Sequence, residues 1–215
     1  MLYSGEQLLA IFADYNRQYW PAHIPAALLL LWTISRWYSP ARRRGRLAAG
    51  LIALFWVWNA IFFLHLTYRT LNGLAFWLAD AFLLQALLIT LRGVMLDKMP
   101  LITGGRRGGV WWLLGVLVAA PLLQLFVSER LELVQVAALF PDQLAAVTLI
   151  YLCFYCAKNR WYLCALPIAW ACYSFFRALQ LGVEIKLILP LMMFGIVVHV
   201  AARTAAPKVA GLKAT

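Results

Sequence analysis

The chain has 215 residues, 65% of them apolar or aromatic and only 13% charged, with a mean hydropathy of +0.80. A soluble domain carries about 25% charged residues, and a fold of this size cannot hide so much apolar surface from water. A soluble enzyme, a disordered chain and a secreted disulfide scaffold are excluded. The formal charge of +11 then reports loop orientation rather than nucleic-acid binding.

Residues 1–20 read as a short amphipathic helix at the membrane interface. Ser4 followed by Gln7 is a capping-box pattern. Leu8, Phe12, Tyr15 and Tyr19 share one helical face. Pro21 is expected to end this helix. No basic region precedes it, so it is not a signal peptide. Seven stretches then approach the roughly 20 apolar residues that cross a bilayer: 21–37, 48–68, 72–92, 110–127, 137–157, 161–181 and 185–203. Residues 21–203 form the membrane domain and 204–215 a tail. The fold class is all-α, a polytopic membrane bundle of seven transmembrane helices.

Basic residues choose the orientation. Fourteen of the 19 fall in the loops 36–46, 92–107 and 158–160 and from Arg203 to the end of the sequence. Positive-inside logic places the N-terminus outside and the C-terminus in the cytoplasm, the pattern of a multi-pass plasma-membrane protein. The basic loops SPARRRG at 39–45 and GGRRGG at 104–109 suit anionic lipid headgroups. Neither is a phosphate cradle, because no strand precedes the glycines and no Lys-Ser or Lys-Thr follows them.

Ionisable and amide groups inside spans are costly and mark functional sites by default. Asn59, His65, Asp80, Gln85, Asp142, Arg177 and Glu184 come from several spans, and on this topology they gather toward the outer side. They are the candidate ligand-binding residues, with Asp80 and Arg177 as the obvious pair. Pro121, Pro141, Pro167 and Pro190 put one proline in each of the last four spans, and Pro141 beside Asp142 is the best place for a pocket-lining break. Cys153, Cys156 and Cys164 could converge as soft metal ligands, and His23 with His65 could hold a metal or haem. Buried packing explains the thiols better, and no cofactor is implied.

A retinal protein would need a lysine in the middle of the last span, and the common intramembrane hydrolase signatures are absent. The chain resembles a family of uncharacterised bacterial multi-span proteins, a domain of unknown function. The resemblance rests on Glu6-Gln7, Phe12, Tyr15-Asn16, Trp20-Pro21, Trp56-x-Trp58, His65, Asn72, the run Ala81 to Gln85, Leu166-Pro167-x-x-Trp170 and Glu184. It implies a bacterial inner-membrane protein and supplies no activity. The leading functional reading is an outward-facing polar pocket that binds or moves a small solute or ion. The alternatives are an accessory subunit of a membrane complex, suggested by ten Trp, 12 Phe and 9 Tyr, and a haem or metal enzyme using His23, His65 or His199. No nucleophile–base constellation supports an enzyme. The partner set is the lipid bilayer, with a homo-oligomer or larger complex open and nucleic acid excluded.

The topology is testable with reporters fused after residue 215. A cytoplasm-dependent fluorescent protein should glow there, and alkaline phosphatase should be inactive. The opposite pattern would overturn the orientation.

Overall fold

A computed structural model describes residues 3–37, 43–96, 99, 107–136, 138–156 and 161–205. Its regular elements are all helices. The basic loops centred on 39–45 and 104–109, and the tail from 206, lie wholly or mostly outside the described residues.

Helix α1 spans Gly5–Trp37. It opens as the sequence predicts: Ser4 N donates to Gln7 Oε1 at 2.9 Å and Gln7 N donates to Ser4 Oγ at 3.2 Å. Leu8, Phe12 and Tyr15 are buried and Tyr19 is half-buried. This face therefore packs into the bundle. Pro21 does not end the helix, which runs through both Pro21 and Pro25. The two prolines are four apart, so the N–H missing at Pro25 is the one that would have bonded Pro21. Their defects merge on one side of a helix whose other contacts hold it.

Helix α2, Arg43–Trp58, widens into a π-helical stretch at Asn59–Thr67. At that junction Asn59 Nδ2 donates to the Phe55 carbonyl at 2.9 Å. That is the acceptor an α-helical ladder would use, and side-chain competition of this kind bends or widens helices. Helix α3, Ala75–Ile89, ends in a π turn at Thr90–Met95. Helix α4, Arg107–Leu114, reaches α5, Ala120–Ser128, through a π turn at Gly115–Ala119. That turn precedes Pro121, which cannot donate to the ladder.

Over the described residues 129–136 and 138–140 the chain then leaves helical geometry, apart from one 3₁₀ turn at Leu131–Leu133. Helix α6, Pro141–Ile150, continues as a π turn over Tyr151–Tyr155. Pro141 is its first residue, so it starts this helix and does not kink it. At about 1.5 Å per residue these elements are shorter than the roughly 30 Å hydrocarbon core. Every residue from Pro141 to Ile150 is buried. Helix α7, Trp161–Leu181, and α8, Ile188–Ala205, follow; Glu184–Leu187 forms a 3₁₀ turn between them.

Among the described residues five helices are long and apolar enough to cross a membrane: Gly45–Thr70, Ala75–Met95, Gly108–Ser128, Trp161–Leu181 and Glu184–Ala202. Helices α1 and α6 are not among them. Helix α6 is the hub, packed on α2, α4, α7 and α8. Trp56 of α2 donates to Thr148 Oγ1 of α6 at 3.0 Å, and its ring meets Phe82, which meets Trp170. Large apolar side chains such as Trp77, Trp111, Phe126 and Phe176 point outward, an exterior suited to lipid and unsuited to water.

The non-helical stretch before α6 is stapled by side-chain amides and one phenol. Asn16 Nδ2 donates to the carbonyls of Glu132 and Val134. Gln124 Oε1 accepts from Gln135 N, and Gln143 Oε1 accepts from Ala138 N at 2.7 Å. Asn59 Nδ2 also reaches the Ala138 carbonyl at 3.0 Å, and Tyr15 donates to the Leu139 carbonyl. Ala138 is fully buried with φ +58°, a left-handed conformation that costs an L-residue about 1–2 kcal/mol. Ala138→Gly should therefore match or exceed wild-type stability by up to ~1 kcal/mol, and Ala138→Val should lower it by more. Denaturant melts in detergent would show this; a destabilised glycine variant would count against strain at this residue.

Candidate functional site

The groups that converge at the Tyr3 end of the bundle belong to six elements. Helix α1 supplies Leu8 and Phe12, the π stretch after α2 supplies Phe63, and the 3₁₀ turn Tyr68–Thr70 that follows it supplies Tyr68. Helix α6 supplies Asp142 in its first turn. Helix α7 supplies Trp170, Tyr173, Ser174 and Arg177, one face read at helical spacing. The 3₁₀ turn Glu184–Leu187 supplies Lys186. Together these line a partly enclosed cavity of about 30 Å³, room for one or two waters.

Asp142 is 3% exposed. Its Oδ1 accepts from Trp170 Nε1 at 2.7 Å and its Oδ2 from Gln135 Nε2 at 3.2 Å. Its place in the first turn of α6 also suits a carboxylate, because unpaired N–H groups and the helix dipole favour negative charge there. Lys186 is 4% exposed and its Nζ has no hydrogen-bond partner. The ammonium lies 2.9 Å from the Phe12 ring centroid and 5.7 Å from that of Phe140. Asp142 is the carboxylate that shares its cavity. A cation–π contact that is shielded from water is worth about 2 kcal/mol or more, which offsets only part of the cost of burying an ammonium.

A polar chain leads from this cavity toward the Tyr3 end. The hydroxyls of Tyr3 and Tyr68 are hydrogen-bonded, and Tyr68 OH lies 3.0 Å from Tyr173 OH. Asn72 Nδ2 donates to Tyr173 OH at 2.9 Å. Arg177 Nε donates to Tyr3 OH at 3.2 Å, its NH1 donates to Gln180 Oε1 at 3.1 Å, and its guanidinium stacks over the Tyr3 ring.

The structure sorts the sequence candidates differently. Asp142 and Arg177 line the cavity. Asp80 is exposed on α3, and Arg177 pairs with Tyr3 and Gln180. The expected Asp80–Arg177 pair does not form, because Asp80 points away from the bundle. Asn59 and Gln85 are buried, but both serve backbone: Gln85 Nε2 donates to the Leu163 carbonyl at 2.8 Å. His65 lies beside Phe76, and Glu184 is exposed on the rim of another surface cavity. His23 stacks on Phe140, apart from His65. Cys164 reaches Cys153, yet among the described residues no group of three His, Cys, Asp or Glu could hold a metal ion.

Sequence reasoning missed Lys186, Tyr68, Tyr173 and Trp170 as site residues. One signal was available: Lys186 is a basic residue on the basic-poor side, next to an apolar run, with nowhere to snorkel once the turn before it is short.

A larger, open cavity of about 560 Å³ lies along α1, lined by Asn16, Arg17, Trp20, His23, Ile24 and Glu132. Its charged rim is already paired. Arg17 NH2 meets Glu132 Oε2 at 3.2 Å, and Arg130 pairs with the same carboxylate.

Among the described residues these features define an all-helical protein with helices apolar enough to cross a membrane and a small, partly enclosed cavity lined by charged side chains. The chain belongs to DUF6064, a family of unknown function, whose model matches residues 5–209. No curated protein and no solved structure matches it at a significant level.

Arg130 and Arg17 donate to Glu132 and hold its carboxyl below its ordinary value of 4.5. A depressed carboxyl pKa contributes stability that is present above the unfolded value and is lost as pH falls through the folded value. The α1-to-Glu132 tie should persist at neutral pH and break only below 4.5, and Glu132→Gln should remove that acid-limb dependence. Melting temperature against pH reads it; an unchanged acid limb in the variant would exclude the tie.

Proposed function

We propose that this is a multi-pass bacterial inner-membrane protein that holds a small ion in an outward-facing polar chamber built around Lys186 and Asp142. The observation that carries the reading is the Lys186 ammonium, which is buried, lacks a hydrogen-bond partner and faces a cavity of about 30 Å³. Groups of this kind within spans mark ion pathways and relays. The cavity volume narrows the earlier alternatives of solute or ion, because a sugar or amino acid does not fit and a monoatomic ion does.

Seven crossings remain the proposed count. They add α1, whose exposed Leu28, Leu31 and Trp32 suit lipid, and α6, whose short length is compatible with a segment enclosed by other helices. With the N-terminus outside, the chamber lies toward the outer side, and the basic loops meet anionic lipid on the cytoplasmic side. The exposed aromatic perimeter that would favour an accessory subunit is equally satisfied by lipid, so it does not favour that reading.

Reconstituted protein should bind or take up labelled ions from sodium, rubidium or chloride salts above protein-free vesicles. Lys186→Met should reduce that signal at least tenfold and Asp142→Asn should change it at least tenfold, each while keeping a monodisperse, folded particle. Asp80→Asn, on the outward face of α3, should leave it unchanged. Folded Asp142 and Lys186 variants with wild-type signal would remove the chamber from the mechanism.

A further inference from the structure

We infer that the chamber takes a monovalent anion of halide size, an inference that rests on the small-ion reading above. Three observations point the same way. The first is charge. The cavity is lined by two basic residues, Lys186 and Arg177, and one carboxylate, Asp142, so its formal charges sum to one net positive charge.

The second is hydrogen-bond supply. Lys186 offers three N–H donors and has spent none of them. The three phenols contribute three O–H protons to two oxygen–oxygen contacts, Tyr3 with Tyr68 and Tyr68 with Tyr173. Asn72 and Arg177 donate into the two ends of that chain, so neither end oxygen needs a further donor and one O–H is left over. Arg177 has used two of its five N–H groups. The Ser174 hydroxyl lies on the same wall. Against these donors stands Asp142, each of whose oxygens already receives an N–H. The chamber is rich in donors and short of acceptors, which is the requirement of an anion. A cation would need the opposite, a set of free oxygens at bonding distance.

The third is size. The cavity of about 30 Å³ holds a particle near the volume of one or two waters. Chloride and bromide fit that room; a carboxylate ligand or phosphate does not. The aromatic walls from Phe12, Phe63 and Trp170 shield the site from water, which strengthens the attraction between the ammonium and the anion.

The test uses the full-length protein in detergent or nanodiscs, with melting temperature read in sodium bromide, sodium chloride, sodium gluconate, rubidium gluconate and an osmolyte control. A ligand that binds only the native state stabilises it in proportion to its saturation. Bromide and chloride should raise the melting temperature with concentration, and sodium gluconate and rubidium gluconate should not. At a bromide concentration ~100 times the dissociation constant, the unfolding equilibrium constant should fall about 100-fold. Lys186→Met should abolish the effect. Should that variant not fold, Tyr173→Phe and Ser174→Ala serve instead, each expected to weaken bromide by about 2- to 10-fold through loss of one hydrogen bond. Bromide anomalous density beside Lys186 would fix the position. Stabilisation by rubidium gluconate as strong as by sodium bromide, lost in Asp142→Asn, overturns the anion inference and leaves the ion chamber standing. Equal melting temperatures in all salts and in the osmolyte overturn both.

Discussion

The fold turns on the need to pair every backbone polar group of a non-helical segment held against the apolar interior. Among the described residues of 129–140 the chain makes few backbone hydrogen bonds of its own, and in hydrocarbon an unpaired N–H or C=O costs several kcal/mol. The partners come from four helices: Asn16 and Tyr15 on α1, Asn59 at the end of α2, Gln124 on α5 and Gln143 on α6. These amides and the phenol read as site candidates only if they are counted without asking what they bond. Together they fix where α6 begins. Since α6 is enclosed on all sides, fixing its start fixes the position of Asp142.

From there the chemistry follows by proximity. Asp142 sits in the first turn of α6 and is held by Trp170 from one side and Gln135 from the other. Gln135 is itself part of the stapled segment, so the same network that satisfies backbone also aims the carboxylate. Lys186 then arrives from the opposite direction on a short turn. Its ammonium meets the Phe12 face and a cavity shared with Asp142, and no hydrogen-bond acceptor. A buried ammonium with all three donors unspent is a local instability that the rest of the bundle must tolerate. Packing explains its surroundings and does not explain its free donors.

Much of this was legible in the sequence, and the failures have physical causes. The helix bundle and the long apolar helices around 48–68, 72–92, 110–127, 161–181 and 185–203 followed from apolar run length. The Ser4–Gln7 box and the buried face of Leu8, Phe12 and Tyr15 followed from helical period. Pro21 misled because a proline breaks a helix only when nothing else holds the flanking turns, and here both sides are packed. Asp80 misled because depth along a span is readable from position, whereas the face it occupies depends on which neighbours the helix has. Lys186 was passed over for the complementary reason: its position suggested an interface, and only the packing of α1 over the turn shows that it is covered.

The turn that carries Lys186 is also why the chamber is well defined. Helix α7 ends in a double hydrogen-bonded cap, with Val183 N donating to the Ala178 carbonyl at 2.9 Å and Gly182 N to the Leu179 carbonyl at 3.3 Å. Gly182 has φ +64°, a conformation glycine takes freely and other residues do not. Lys186 N then donates to the Val183 carbonyl at 3.0 Å, so only three residues separate the lysine from the capped end of α7. Arg177, Ser174, Tyr173 and Trp170 lie on that same helix. The donors that face the cavity from α7 and the ammonium that faces it from the turn are therefore parts of one continuous hydrogen-bonded stretch of chain. Asp142 belongs to another, the stapled start of α6. A change in the spacing between these two stretches would alter the net field on whatever occupies the chamber without unfolding either.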